Sequence, residues 1–222
     1  MAKSIAAAPP RPRGRPKLMS DAAQRALIVE GARKLLIDKG YARTTTDDVA
    51  AVCRISKQTL YRHFPGKPAL FAAIVESHRH SMLALPGDYG DMPLARALET
   101  IFRIDIDAKA DKERVALLRF IMVESRQFPE LEQILRRHGA DPARAELAQW
   151  LAARARQKQI TIDDAGSTAL ILMDMIFGAV ARQATWQTAW PGASERRAHI
   201  RRCVAIFLSG VVPRPQAGAA SA

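Results

Sequence analysis

The sequence has few of the residues that disulfide bonding or metal binding requires. Its 222 residues include two cysteines, Cys53 and Cys203, which lie far apart in different predicted units. Two thiols so placed form neither a disulfide framework nor a zinc set, and we expect both to be buried and reduced. His78 and His80 are two residues apart and so lie on different sides of a helix, a poor arrangement for a metal. We expect no metal site, and a solvent-facing or interface role for the two histidines.

Long apolar runs are missing too. The most apolar stretch, Ala169 to Ala181, contains Asp174 and is too short to span a bilayer. The N-terminal apolar run breaks into Pro and Arg, so it does not predict a signal peptide. Motifs for catalysis are also missing, since there is no glycine-rich phosphate loop, metalloprotease histidine pair or nucleophile elbow. We therefore expect a cytoplasmic protein with no membrane partner, which is not an enzyme and holds no cofactor.

Positive charge, in contrast, is plentiful. The formal net charge is +12 and the isoelectric point is about 10.4. Residues 1–90 hold 15 Lys and Arg against 7 Asp and Glu, whereas the remainder holds 19 against 15. This excess near the N-terminus favours a polyanionic partner, nucleic acid first and an acidic membrane surface second.

Apolar residues recur at helical spacing, and no segment shows strand-like alternation, which predicts an all-α fold. Residues 1–19 have almost nothing to bury and are predicted to be a disordered basic arm, and residues 211–222 a disordered tail. A Gly- and Pro-rich stretch after residue 85 separates a helix-turn-helix unit, 20–85, from a larger helical domain, 91–210. In the larger domain, helices are predicted at about 94–108, 112–127, 129–138, 142–158, 163–188 and 194–210.

Within 20–85, capping and breaking signals predict four helices. The first begins at Ser20 and stops at Gly40, the second is capped by Thr46, the third by Ser56, and the fourth begins near Lys67. The second and third are short and joined by a tight turn, as in a helix-turn-helix whose second helix enters the major groove of DNA.

The third predicted helix crowds polar and aromatic side chains together. Lys57 suits guanine O6 and N7, and Gln58 suits adenine N6 and N7. Thr59 offers a hydroxyl or a methyl group, and Tyr61 offers a ring for a thymine methyl and a hydroxyl for a phosphate. The alternative, that these side chains merely pack or form a solvated face, fits the preceding cap and turn less well. The predicted DNA-binding residues, including those suited to phosphates, are Thr46, Ser56, Lys57, Gln58, Thr59, Tyr61, Arg62, His63 and Lys67.

The segment from Ala26 to Leu70 resembles the TetR family of transcriptional regulators. The residues that match the family pattern, without a gap, are Ile28, Ala32, Gly40, Tyr41, Thr45, Thr46, Val49, Ala50, Ser56, Thr59, Leu60, Tyr61, His63, Phe64 and Lys67. The resemblance is weaker from residue 91 on. It implies an all-helical homodimer that grips a palindromic operator, and a small-molecule effector in the larger domain that changes the spacing of the two DNA-binding units.

One turn departs from the family pattern, because Cys53-Arg54 stand where the family usually has Ala-Gly. A non-glycine residue in the left-handed conformation that Gly relieves costs roughly 1–2 kcal/mol. Either the turn differs slightly, or Arg54 makes a phosphate contact that offsets the strain. We favour the first alternative.

The larger domain offers candidates for a ligand pocket and a dimer interface. The predicted pocket residues are Phe102, Phe120, Trp150, Met173, Asp174 and Phe177. Asp174 needs a partner in its apolar helix; it pairs with an Arg across the dimer, which we favour, or it faces the ligand. The helix around Ala169–Ala181 is apolar nearly all round, so we expect the last two helices to complete their burial against a second subunit.

The basic arm has two interpretations. Its Arg13, Gly14, Arg15 and Pro16 are similar to the AT-hook core, which reads a narrow minor groove; alternatively, the arm binds phosphates without specificity. For the whole protein, we expect a ligand-responsive, dimeric repressor. One alternative is a ligand-independent architectural DNA-binding protein, which would discriminate little between sequences. The other is an enzyme, and the helical pocket is the only feature that supports it.

Overall fold

The computed structural model of this chain describes residues 19–183 and 192–212. Every regular element among them is helical, which confirms the predicted all-α fold. Residues 1–18 of the predicted basic arm, among them Arg13, Gly14, Arg15 and Pro16, lie outside the described residues. The helices are α1 (Asp21–Lys39), α2 (Thr46–Val52), α3 (Lys57–His63), α4 (Lys67–Met82), α5 (Leu94–Ile101), α6 (Ala108–Gln127), α7 (Pro129–Leu135), α8 (Asp141–Arg156), α9 (Ala165–Gln183) and α10 (Ala193–Val211).

The first four helices begin and end close to where the sequence predicts. The Ser20 hydroxyl accepts from the Ala23 N–H at 3.1 Å, and Gly40, with a φ of 80°, follows the last turn of α1. The predicted cap of α2 is wrong by one residue. Thr45 holds that position, because its side chain and that of Asp48 bond each other's backbone N–H in a capping box.

The predicted boundary between α5 and α6 is also wrong. The sequence predicts a helix to residue 108, but α5 ends at Ile101, and Arg103 follows in the left-handed region with a φ of 51°. The Asp107 carboxylate then accepts from the N–H groups of Lys109 and Ala110, each at 3.0 Å. This cap starts α6 four residues before the predicted start, Lys112.

The sequence predicts a gap between α7 and α8, but the structure has no break there. Residues 136–140 form a turn of π-helix that joins the two elements. Pro142 follows directly after this turn, as the second residue of α8. The chain from Pro129 to Arg156 is therefore continuously helical.

The buried apolar side chains form two cores. We call α1–α3 the head and α5–α10 the body. The body core is built on α5, α8, α9 and α10. The head core is built on α1–α4 and also takes in residues of α6 and α7; its members include Ile28, Leu36, Leu60, Phe64, Phe71, Ile74, Leu117, Ile121 and Leu131. Helix α4 therefore packs on the head and on the body at once.

Buried ion pairs connect these elements further. Arg79 of α4 pairs with Glu146 of α8. In α6, Arg114 donates to Asp111 at 2.6 Å, and Asp111 lies 2.9 Å from Arg196 Nε of α10. The Arg196 Nε contact is poorly aligned for a hydrogen bond, so it is an ion pair only. This pairing ties the start of α6 to the last helix.

Within the described ranges, each helix is too short or too polar to cross a lipid bilayer.

Candidate nucleic-acid interface

The turn between α2 and α3 keeps the left-handed conformation. Arg54 has a φ of 52°, so the favoured prediction, that the turn changes to avoid this conformation, is wrong. The turn is held by the N–H of Arg54 bonded to the Ala51 carbonyl at 3.1 Å, and that of Ile55 bonded to the Ala50 carbonyl at 3.0 Å. Gly31 of α1 faces this turn, where a Cβ would lie 2.6 Å from the sulfur of Cys53. Because Gly31 has no side chain, α1 can pack closely against this turn.

Helix α3 has one buried and one exposed side. Leu60 and Phe64 are 1% and 2% exposed, as their spacing of four predicts. On the opposite side, Lys57, Gln58 and Tyr61 are exposed. The sequence pattern thus predicted correctly which side of α3 faces away from the protein.

The exposed side of α3 is linked to the start of α2. The hydroxyls of Tyr61 and Thr46 lie 3.0 Å apart, and Lys57 donates to Asp47 at 2.6 Å. That hydrogen bond to Asp47 raises the pKa of Lys57. The two helices therefore present one continuous polar surface, with Thr46 at the N-terminus of α2 beside Tyr61.

Ser56 and Thr59 bond to each other at the start of α3. The Ser56 hydroxyl accepts from the Thr59 N–H at 3.1 Å, and the two side-chain oxygens are 2.9 Å apart. Thr59 is half-buried. Ser56 is therefore the N-cap of α3, and Thr59 bonds to this cap.

Arg62 and His63 lie against α1. Gln24 Oε1 is 3.0 Å from Arg62 Nη2 and 3.0 Å from His63 Nε2. The His63 side chain is only 10% exposed, whereas that of Arg62 is 54% exposed. The structure thus places His63 where it holds α3 on α1, and leaves Arg62 accessible from outside.

Lys67 lies at the start of α4. Its Nζ is 4.0 Å from the centre of the Tyr41 ring, a cation–π contact, and partial burial lowers its pKa. The preceding Gly66 supplies no side-chain cap. Lys67 is the first residue of α4, whose first-turn N–H groups suit a phosphate.

The residues predicted for the ligand pocket are not all brought together. Phe102 and Phe177 pack with ring centres 5.6 Å apart, and Trp150 and Met173 belong to the same body core. Phe120 packs instead on the head core, with its ring 6.4 Å from that of Phe71. Asp174 is exposed on α9.

A cavity of about 660 Å³ lies elsewhere, between α1, α4 and α6. Its lining includes Arg33, His78 and Arg114, which the sequence did not single out for binding. Of the two roles predicted for His78, solvent-facing or interface, the solvent-facing one is wrong, because His78 is 9% exposed. Burial, and then the charges of Arg114 and Arg33, lower its pKa to about 4. Its spacing of four from the buried Ile74 was the available signal for an inward position.

The last two helices leave apolar side chains uncovered in the single chain. Leu170 and Ile171 of α9 are 43% and 55% exposed, and Ile206 of α10 is 58% exposed. Cys203 is buried, Cys53 is half-buried, and both are free thiols. Among residues 19–183 and 192–212, no cluster of three metal-ligating side chains occurs.

Sequence models of two families match this chain. The model described as "Bacterial regulatory proteins, tetR family" matches residues 28–74. The model described as "AefR-like transcriptional repressor, C-terminal domain" matches residues 96–210. The first match runs from within α1 to the middle of α4. The second runs from within α5 to near the end of α10.

Curated relatives and solved structures agree with these matches. An HTH-type transcriptional regulator of Mycobacterium tuberculosis is 34% identical over 125 residues, which are 55% of this chain and 57% of the relative. A regulator of Bacillus subtilis, YuxN, is 29% identical over 106 residues, 48% of this chain and 33% of that protein. The matched part of the chain thus spans little over half the length of the first relative and a third of the second.

The similar solved structures are matched over nearly their whole length. A TetR transcriptional regulator from Agrobacterium tumefaciens has a TM-score of 0.69 at 22% identity, over 88% of this chain and 97% of that one. The flavonoid-responsive regulator FrrA has a TM-score of 0.63 at 24% identity, over 87% and 100%. At these identities the likeness is one of fold.

Proposed function

Because the chain belongs to the TetR family of bacterial transcriptional regulators, we propose that it is a ligand-responsive repressor that binds a palindromic operator as a homodimer. The observation that carries this proposal is the outer side of α3, where Lys57, Gln58 and Tyr61 are exposed while Leu60 and Phe64 anchor the helix. Proteins of this family are regulators, not enzymes. A cytoplasmic location follows from action on DNA.

Contacts on this surface divide into two kinds. Lys57 and Gln58 lie in the first turn of α3, the part of a recognition helix that reaches base edges. Tyr61, Thr46 and Lys67 surround them and suit backbone phosphates, which position a protein without reading sequence. Arg62 is an outer phosphate contact. Ser56 and Thr59 bond to each other at the start of α3, and His63 holds α3 on α1.

The homodimer is proposed to form through α9 and α10. Leu170, Ile171 and Ile206 expose apolar surface on these helices, which a second subunit would cover. Asp174 lies on the same exposed part of α9, in keeping with an Arg partner across the interface. A dimer with one α3 in each half-site needs its half-sites one helical turn, about 34–36 Å, apart.

A small molecule in the helical body or at its boundary with the head would favour one spacing of the two heads over another. That FrrA responds to flavonoids supports a small-molecule effector for this chain too. The architectural alternative needs no such effector.

Footprinting on the DNA upstream of the chain's own gene tests the proposal. A protected palindrome, competed poorly by random DNA, is expected. Uniform coverage with a steep salt dependence and equal competition by random DNA would favour the architectural alternative instead.

The base-reading assignment makes a sharper prediction. Gln58→Ala is expected to relax the base preference at one position of each half-site, at a cost of about 1–3 kcal/mol, measured by selection from randomised operators. Lys67→Ala should weaken binding to all operators alike, because it removes a phosphate contact. Tyr61→Ala should weaken binding as well. Gln133→Ala, an exposed glutamine on α7, is the matched control. An unchanged preference in Gln58→Ala would refute the assignment.

A further inference from the structure

The cavity between α1, α4 and α6 lies on the boundary between the head and the body. Apolar side chains from all three helices line it, among them Val29 of α1, Ile74 of α4 and Leu117 of α6. Its volume of about 660 Å³ is within the range of small-molecule sites, about 300–1,000 Å³. Its lining contains no member of the pocket predicted from the sequence.

The charges around this cavity balance in number, and several of them are paired. Its lining includes three arginines and three glutamates. Arg33 bonds both carboxylate oxygens of Glu30, at 2.7 and 2.8 Å, and lies 3.6 Å from Glu113. Arg114 donates to Asp111, which lies outside the lining of the cavity. Because an ionic ligand would have to compete with these pairs, the lining favours a neutral ligand.

His78 supplies a buried acceptor without a partner. Its Nε2 is buried and makes no hydrogen bond to any described residue. The Ser81 hydroxyl donates its one proton to the His78 carbonyl at 2.6 Å. Toward His78 Nδ1, which is 3.1 Å away, the Ser81 oxygen can therefore act only as an acceptor. Nδ1 therefore carries the ring proton and donates to Ser81, which leaves Nε2 as a bare acceptor.

We propose that this cavity binds a small neutral molecule whose apolar body packs between α1, α4 and α6, and whose hydroxyl group donates a hydrogen bond to His78 Nε2. A buried acceptor left unpaired costs free energy that such a donor recovers. The bound molecule contacts the head through α1 and the body through α6, so it holds the two in one relative position. The inference depends on the proposed function only in the step by which occupancy changes operator binding.

A matched pair of probes tests the chemistry of the site. 2-Naphthol and 2-methoxynaphthalene share an aromatic body, but only 2-naphthol donates a hydrogen bond. In fluorescence titrations of the full-length protein without DNA, 2-naphthol is expected to bind about tenfold more tightly. In His78→Leu this ratio should fall to about one. In His138→Leu, whose ring is half-buried and lies outside the lining of this cavity, it should stay at about tenfold.

A ratio near one in the unmodified protein, no binding of either probe, or a preference that survives His78→Leu would each overturn the proposal. If His78→Leu does not fold, nitrogen NMR of the unmodified protein replaces it. The His78 Nε2 signal should shift with 2-naphthol and stay in place with 2-methoxynaphthalene; equal shifts would count against the proposal.

A second variant tests the location. Ala110→Phe narrows the cavity from α6 and should weaken both probes by similar factors, because it removes space and leaves His78 in place. Unchanged affinity for both probes would put their site elsewhere and overturn the proposal. Operator binding without probe is measured separately, so a failure of the proposed function is distinguishable from a failure of the cavity assignment.

Discussion

At the scale of single residues, Arg54 has the most costly backbone in the DNA-binding surface. Its φ of 52° is a conformation that L-residues other than Gly, Asn and Asp adopt at a cost of roughly 1–2 kcal/mol. It lies exposed in the turn that sets the angle between α2 and α3. The turn geometry is therefore imposed by its neighbours in spite of the residue that occupies it.

Arg54→Gly is accordingly expected to raise the free energy of unfolding by about 1 kcal/mol. The strain that Gly relieves at this positive φ exceeds the cost of the greater conformational entropy that Gly has in the unfolded chain. Urea denaturation measures this change. Arg54→Ala, which keeps the left-handed cost, is the control and should not stabilise. If Arg54→Gly lowers operator affinity while it stabilises the fold, Arg54 also contacts a phosphate, the second alternative that the sequence left open.

At the scale of helices, α4 carries a neutral histidine whose burial makes stability depend on pH. The pKa of His78 falls from 6.5 to about 4 on folding, so between these values the unfolded chain binds more protons than the folded one. Stability is therefore highest above pH 6.5 and falls as the pH approaches 4. Between pH 7 and pH 5, His78 should account for about 2 kcal/mol of this loss.

His78→Gln tests that prediction, because Gln is polar and does not titrate. The free energy of unfolding is measured by urea denaturation at pH 7 and at pH 5. Its decrease between the two pH values should be about 2 kcal/mol smaller in the variant than in the unmodified protein. His80 is exposed and lies two positions along α4. In His80→Gln, the free energy of unfolding should decrease by as much as it does in the unmodified protein. Equal losses in both variants would rule out a neutral buried His78.

The helices also show what a sequence can and cannot predict. The outer side of α3 follows from the spacing of Leu60 and Phe64, because one helix has only one side that can reach the core. The end of α5 depends on Arg103 adopting a positive φ, which no propensity of arginine indicates. The cavity could not be predicted either, because it is formed where three helices distant in sequence meet, and His78 is informative only once its neighbours are known.

At the scale of the whole molecule, the uncovered residues of α9 and α10 predict the assembly. Ile171→Glu should convert the protein to monomers in sedimentation analysis, because it places a charge in the apolar interface. Operator affinity should fall with it, since a monomer loses the advantage of engaging two half-sites at once. Val123→Glu is the control, as Val123 is similarly exposed, at 48%, but lies on α6. A dimer that survives Ile171→Glu would place the interface elsewhere.

The head core has a consequence for exchanging parts between relatives. Leu117, Ile121 and Leu131 come from α6 and α7, yet they complete the packing around α1–α4. A chimera spliced after residue 85 would therefore set a foreign set of side chains against these three. Transplanting DNA specificity should succeed when only the outer side of α3 is exchanged, and swaps of the entire N-terminal unit should require matched replacements in α6 and α7.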